Sequence, residues 1–295
     1  MVVRATAAGQ ERQPRDPLSA ARDLDTLTDL VAAGDVLVLS GAGISTESGI
    51  PDYRGPSSAA RRASPMTGKT FTGDPVARRR YWARSHLGWG LIDRARPNDG
   101  HRAVAELQRH GLLTGVITQN VDGLHQAAGA TEVIDLHGRL DRVRCLDCGC
   151  RTDRDELAAR LDAANADWHA TAAGINPDGD VELADGALDG FRLVDCTACA
   201  GVLKPDVVFF GETVPPERVE HCYDALARSR TLLVLGSSLT VMSGHRFVLR
   251  AARDGRPVAI VNQGATRGDR YAAVTVDAPL GAVLPALVAR IAAPS

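Results

Sequence analysis

Lysine is nearly missing from this chain: of 34 basic residues only Lys69 and Lys204 are lysines, and arginine supplies the rest. The 36 acidic residues bring the formal net charge to −2. No overall field therefore draws the chain toward nucleic acid or an anionic membrane, and an acidic ligand must be held locally. No apolar run approaches the roughly 18 residues that a membrane-spanning helix needs. Six cysteines in 295 residues are too few for a disulfide scaffold. An apolar secretory core is also missing from Met1 to Pro17, which carries scattered arginines with Glu11 and Asp16 and reads as a cytoplasmic tail. With 44% hydrophobic and 24% charged residues, the composition is that of a globular chain long enough for about two domains.

What is present alternates. Short apolar runs rich in β-formers occur at Val36–Leu39, Leu112–Thr118, Val133–Leu136, Val207–Phe210, Leu232–Leu235 and Val258–Val261. Helical patterns stand at Leu18–Ala33, His101–His110, Pro216–Arg228, Arg246–Arg253 and Ala282–Ile291. Continuously apolar strands alternating with helices predict an α/β domain with a doubly wound, parallel, Rossmann-like sheet covered on both faces. Residues 56–95 (Arg-rich and aromatic) and 141–203 (polar, with paired cysteines) break the alternation. The expected organisation is a tail at 1–17, a larger Rossmann-like domain from 18–55, 96–140 and 204–295, and a smaller, largely helical domain from 56–95 and 141–203.

Two C-x-x-C pairs, Cys145/Cys148 and Cys196/Cys199, offer four thiolates, a set that satisfies one structural Zn²⁺ and leaves no open coordination position. A redox pair is the competing reading, although such chemistry needs only one C-x-x-C. Cys150 and Cys222 fall outside the pattern.

The first strand runs into Gly41-Ala42-Gly43, where backbone amides can approach a phosphate. The third glycine of G-x-G-x-x-G would fall on Thr46, so the ordinary dinucleotide fingerprint is not met. The wider run Gly41-Ala42-Gly43-Ile44-Ser45-Thr46-Glu47-Ser48-Gly49-Ile50-Pro51-Asp52-Tyr53-Arg54-Gly55 instead resembles the cofactor loop of the sirtuins, NAD-dependent protein deacylases. The resemblance continues through Thr118-Gln119-Asn120-Val121-Asp122-Gly123-Leu124-His125, Leu136-His137-Gly138, the cysteine pairs, Lys204-Pro205-Asp206-Val207-Val208-Phe209-Phe210-Gly211-Glu212, Gly236-Ser237-Ser238-Leu239 and Val261-Asn262-Gln263-Gly264. Tyr53, Arg80-Tyr81-Trp82-Ala83-Arg84 and the long insert between the cysteine pairs look like the class II, sirtuin-4-like branch, in a bacterial protein.

The resemblance implies transfer of an acyl group from a lysine side chain to the ribose of NAD⁺, with release of nicotinamide. It implies His137 as general base, with Asn120 and Asp122 holding ribose, nicotinamide or an ordered water and Gln119 orienting the ribose. The expected NAD contacts are Gly41, Ala42, Gly43, Ser45, Glu47, Asp52, Tyr53, Arg54, Gln119, Asn120, Val121 and Asp122, followed at the adenosine end by Gly236, Ser237, Ser238, Asn262, Gln263, Gly264 and Leu280. An acyl-lysine peptide is expected to pair with Val208, Phe209, Gly211 and Glu212 by strand addition. His101 and His125 receive packing or hydrogen-bonding roles. Tyr81 and Arg84, three apart on a predicted helix, are a candidate reader for a carboxylated acyl chain, against the alternative of a solvated basic helix. Two other functions compete: an ADP-ribosyltransferase on the same scaffold and a catalytically silent NAD sensor. Partners are acyl-lysine proteins or peptides, with no nucleic acid and no membrane. Oligomeric state and the preferred acyl group are not legible.

Overall fold

A computed structural model describes residues 17–53, 65–171, 176–183 and 186–293. The expected tail, apart from Pro17, and Arg54 lie outside the described residues. Helix α1 (Pro17–Ala32) leads into β1 (Val36–Ser40), whose five residues are all buried. Short 3₁₀ turns at Ala42–Ile44 and Thr46–Ser48 follow it. Next come α2 (Gly68–Gly73), α3 (Pro75–Arg94), α4 (Asp99–Arg109), β2 (Leu113–Thr118), α5 (Leu124–Ala127) and β3 (Val133–Asp135). The middle holds β4 (Gly138–Cys145), β5 (Arg151–Asp153), α6 (Arg154–Ala164) and β6 (Leu203–Val207). The chain closes with α7 (Pro216–Arg228), β7 (Thr231–Leu235), α8 (Met242–Arg253), β8 (Val258–Val261), β9 (Val274–Val276) and α9 (Leu280–Ala292).

The main sheet has the order β3-β2-β1-β7-β8-β9, with every pairing parallel. This is the doubly wound arrangement, and the order reverses between β1 and β7. Alternation along β1 shows how both faces are sealed. Val36 and Val38 pack with Leu27, Val104, Leu107, Leu284 and Leu287 of α1, α4 and α9, while Leu37 and Leu39 pack with Leu226, Phe247 and Val248 of α7 and α8. Each such side chain contributes about 1.5–3 kcal/mol by leaving water.

The second sheet, β5-β4-β6, is antiparallel and carries the cysteines. It corrects one sequence expectation: Val207–Phe210 is not a strand of the main sheet. The strand is β6, Leu203–Val207, and it pairs with β4 so that Cys145 stands opposite Leu203. The apolar run from Val207 to Phe210 misled because it lies between layers, with Phe209 buried among Phe71, Tyr81 and Trp82 rather than in a parallel ladder. Residues 138–140 and 204–207, expected in the larger domain, thus fall in strands of the smaller sheet. Strand β9, three residues long, gave no sequence signal. Among the described residues no helix is long and apolar enough to cross a membrane.

Candidate active site and cysteine centre

The functional residues collect at the carboxyl ends of β1, β2, β3, β7 and β8, around the point where the strand order reverses. Gly41 and Gly43 follow β1 and press against the end of β7: Gly43 N–H donates to Gly236 O at 2.8 Å, and a Cβ on Gly43 would lie 2.9 Å from Gly236 Cα. Only glycine permits this approach, which packs the 3₁₀ turn at Ala42–Ile44 directly on the end of β7. The missing third glycine is explained here, because the turn is continued by two 3₁₀ segments rather than by the long helix that a G-x-G-x-x-G would begin.

Beneath this turn Ser45, Asn120 and Asp122 form one network. Ser45 Oγ donates to Asp122 Oδ2 at 2.7 Å, and Asn120 Nδ2 donates to Ser45 Oγ at 3.0 Å and to Gly41 O at 3.2 Å. Burial raises the Asp122 carboxyl above its ordinary value, against the bonds from Leu124 N–H and Ser45 that favour the charged form. Gln119 Nε2 reaches Ser237 Oγ at 2.8 Å, joining the ends of β2 and β7. Asn262 turns its amide onto the carbonyls of Gln263 and Gly264, and Gly264 N–H donates to Asp277, so this turn at the end of β8 is closed on itself. Glu47 accepts from Gly281 N–H at the start of α9, beside Leu280, tying the glycine segment to the last helix. Leu280 itself is buried in the core. Tyr53 meets Phe210 edge-on, with ring centroids 5.8 Å apart, while Asp52 and Val121 are half-buried in the same region.

His137 lies between β3 and β4. Its Nδ1 is 2.8 Å from the backbone oxygen of Gln119 and its Nε2 is 2.9 Å from Ser243 Oγ. A carbonyl can only accept, so the proton sits on Nδ1 and the lone pair on Nε2. Burial lowers the imidazole below its usual range and the Arg218 charge adds to this, so the ring is a neutral base near pH 7. Gly138 follows with φ of +82°, and a Cβ there would stand 2.0 Å from Asp206 O, which explains the Leu-His-Gly sequence.

The expected peptide segment begins next to His137, where Val208 N–H donates to His137 O at 2.8 Å. Glu212 Oε2 accepts from Phe209 N–H at 2.8 Å and pairs with Lys204 Nζ at 3.1 Å, folding the Phe209–Glu212 turn back on itself. Phe210 O is taken by Gly68 N–H of α2. Among the described residues no backbone hydrogen bond joins Gly211 to the protein.

At the far end of β4 the sulfurs of Cys145, Cys148, Cys196 and Cys199 lie within 4.8 Å of one another, with Cys145–Cys199 at 3.5 Å and Cys148–Cys196 at 3.8 Å. A tetrahedral zinc with bonds of about 2.3 Å separates its sulfurs by about 3.8 Å, whereas a disulfide needs about 2.05 Å. The donor set therefore fits Zn²⁺, none of the four is joined in a disulfide, and Cys150 is not part of it.

Comparison with known proteins decides the family. A model described as the Sir2 family matches residues 41–243. The chain belongs to the Sir2 family. It is 63% identical over 269 residues (91% of this chain, 90% of the relative) to a Streptomyces coelicolor protein named NAD-dependent protein deacetylase 1. It is 54% identical over 256 residues (85% and 89%) to a Mycobacterium avium protein of the same name. A solved chain from work on the mechanism and regulation of Sir2 enzymes superposes with a TM-score of 0.74 at 30% identity, covering 92% of this chain and 98% of that one. A Sir2 complex with a p53 peptide and NAD⁺ gives 0.72 at 29% identity, covering 90% and 98%.

Within this Sir2 fold the candidate reader of a carboxylated acyl chain needs correction. Tyr81 is fully buried among Phe71, Trp82 and Phe209, and burial raises its phenol far above the usual range. Arg84 donates to Val181 O at 2.7 Å and pairs with Asp180 and Glu182, each at 3.2 Å. Its guanidinium has two carboxylate partners and holds the 176–183 segment against α3, the arrangement of a structural rather than a substrate-reading arginine. His101 and His125 take the roles expected of them. His101 accepts from the Asn98 backbone in a capping box at the start of α4, and His125 shares a bond of 2.8 Å with Ser40 Oγ. Sequence reasoning gave no role to Ser243 or Lys204. Lys204 stood inside a family-like motif, but Ser243 carried no signal, because its importance comes from a contact 106 residues away.

Proposed function

We propose that this Sir2 protein is an NAD-dependent protein-lysine deacetylase, with His137 as its general base. The observation that carries the reading is the common sheet edge, where the glycine turn, the Ser45–Asn120–Asp122 network, His137 and the Val208–Gly211 slot stand side by side. The names of the bacterial relatives support it. NAD⁺, when bound, supplies a nicotinamide–ribose bond whose cleavage exposes a ribose carbon to the acetyl oxygen. Of the glycine-turn amides, those of Gly41, Gly43, Ile44 and Ser45 bond within the protein, so the Ala42 amide would be the one offered to the phosphates; Ser237, Ser238, Asn262 and Gln263 would take the adenosine, and Asn120 and Asp122 would hold the nicotinamide end. Gly211 and Val208 align the acetyl-lysine backbone so that specificity for flanking sequence is low. His137 takes a proton at Nε2 from a ribose hydroxyl, and the Gln119 carbonyl keeps the ring aimed and correctly protonated. Tyr53 and the 80–84 run support a class II assignment within the family. One structural Zn²⁺ on the four cysteines holds β4 and the 196–199 turn together.

The test is incubation with carbonyl-labelled acetyl-lysine peptide and adenine-labelled NAD⁺. Deacetylation predicts nicotinamide release matched by loss of acetyl from the peptide, and His137→Ala lowers the rate by about 10²–10⁴-fold with the fold intact. Adenine label that stays on protein would favour the ADP-ribosyltransferase reading, and no nicotinamide release with tight NAD⁺ binding would favour the silent sensor.

A further inference from the structure

His137 has two partners, and only one of them is backbone. The Gln119 carbonyl fixes the proton on Nδ1, so the 2.9 Å contact at Nε2 has the Ser243 hydroxyl donating into the lone pair that the base must use. Ser243 stands in the first turn of α8, whose N-cap residue, Val241, makes no side-chain cap, and the hydroxyl is turned to His137 rather than to the helix end. The helix is held in that place by its next residue: a Cβ on Gly244 would come 2.6 Å from Gln119 Oε1, so glycine lets α8 close on the same residue that fixes Nδ1.

We infer that Ser243 is a positioning residue for His137, donating to Nε2 of the neutral ring and turning to accept from that nitrogen once it carries the proton taken from a ribose hydroxyl. This rests on the deacetylase reading above. In the step the ribose O–H bond breaks, its electron pair stays on oxygen, and an Nε2–H bond forms. The incoming hydroxyl takes the lone pair, and the Ser243 hydroxyl, which rotates freely about its C–O bond, presents its own oxygen to the new N–H. The need for such a partner follows from the surroundings. The charged group acting on His137 is Arg218 of α7, which donates to Leu136 O, and the first turn of α8, which carries Ser243, brings its positive end to the ring as well. Both oppose an imidazolium, and a hydrogen bond to a charged group is about twice as strong as a neutral one.

Ser243→Ala therefore lowers kcat about tenfold, leaves KM for the acetyl-peptide unchanged, and moves both the His137 imidazole titration and the acidic limb of kcat to lower pH. Ser243→Thr, which keeps the hydroxyl, restores all three. The titration is read by NMR on the protein without substrates, with His137→Gln assigning the signal and thermal melting confirming the fold. An unchanged His137 titration together with an unchanged kcat would overturn the inference. An unshifted titration with a lowered kcat would also overturn it, since Ser243 would then act elsewhere. If His137→Ala kept full activity, the general-base role of His137 would fail, and absence of matched nicotinamide and acetyl release in the unmodified protein would sink the deacetylase reading, while the titration would still report on Ser243.

Discussion

Lys204 Nζ lies 3.1 Å from Glu212 Oε2, above the Phe209 ring at 4.3 Å from its centroid, and also donates to Val207 O. This ion pair holds the Phe209–Glu212 turn, and its two ends differ in exposure, 6% for Lys204 against 30% for Glu212. Burial lowers the Lys204 ammonium below its ordinary value, and Glu212 works against that.

Removing the two partners should therefore have unequal effects. Glu212→Ala strands a buried ammonium and should cost about 2–3 kcal/mol, while Lys204→Met leaves a carboxylate that water can reach and should cost less. Both should raise KM for acetyl-peptide, Glu212→Ala more. Denaturant melts and steady-state kinetics check this, and equal losses from the two variants would contradict the asymmetry.

The buried histidines set the acid limit of the fold. Burial holds His125 at about 4, and burial with the neighbouring His125 and Arg102 charges holds His101 at about 3. In the unfolded chain both titrate near 6.5, so as pH falls the unfolded state takes protons first. The stability contributed is complete above pH 6.5 and is lost as pH falls toward 4, by about 1.4 kcal/mol per pH unit for each histidine. Urea melts at pH 7, 6 and 5 should show this, and His125→Gln should flatten the dependence.

Thiol chemistry reads out the metal. Cys148, Cys150 and Cys199 are exposed, and Cys145, Cys196 and Cys222 are buried. With zinc on the four paired cysteines, a thiol reagent should find one fast-reacting site, Cys150, and elemental analysis should give one zinc per chain. Chelation should bring the paired thiols into reach and lower the melting temperature. Three fast sites in metal-replete protein would refute zinc ligation.

Arg84→Met should leave the ratio of glutaryl to acetyl activity unchanged and should act on stability instead. Burial and the Asp178 charge push Asp180 up to about 7, with Arg84 pulling it down. Without Arg84, the carboxylates of Asp178, Asp180 and Glu182 face one another with no guanidinium between them. A carboxyl raised in the folded state weakens the fold as pH climbs from its unfolded toward its folded value, and removing Arg84 raises that folded value further, so the added loss should be largest above pH 7 and should ease in acid. Thermal melts at pH 6 and 8 measure it, and loss of a glutaryl preference in this variant would restore Arg84 to the acyl pocket.

How much of this was legible depended on range. The parallel sheet could be read from runs such as Val36–Leu39 and Leu232–Leu235, because a strand buried on both faces has apolar residues at every position. The cysteine centre could be read because two C-x-x-C turns carry their own geometry. The Val207–Phe210 run could not be read correctly, since the same apolar string serves a strand end, a buried aromatic cluster and a slot, and only the pairing of β4 with β6 separates them. Tyr81 and Arg84 misled in the same way. Their spacing along α3 is real, but Asp180 and Glu182 arrive from an insert about a hundred residues further on. Ser243 needed the register of α8 against Gln119, which no local pattern encodes.

The scarcity of lysine acquires a chemical meaning once the two lysines are located. Lys204 is buried in its ion pair, and Lys69, exposed on α2, is the one lysine ammonium that a reactive acyl donor can readily reach. Guanidinium groups stay protonated and do not accept acyl groups under the same conditions. A protein proposed to strip acetyl groups from lysines thus carries its own positive charge in a form resistant to acetylation, so its fold and field stay constant while the acylation state of its surroundings varies.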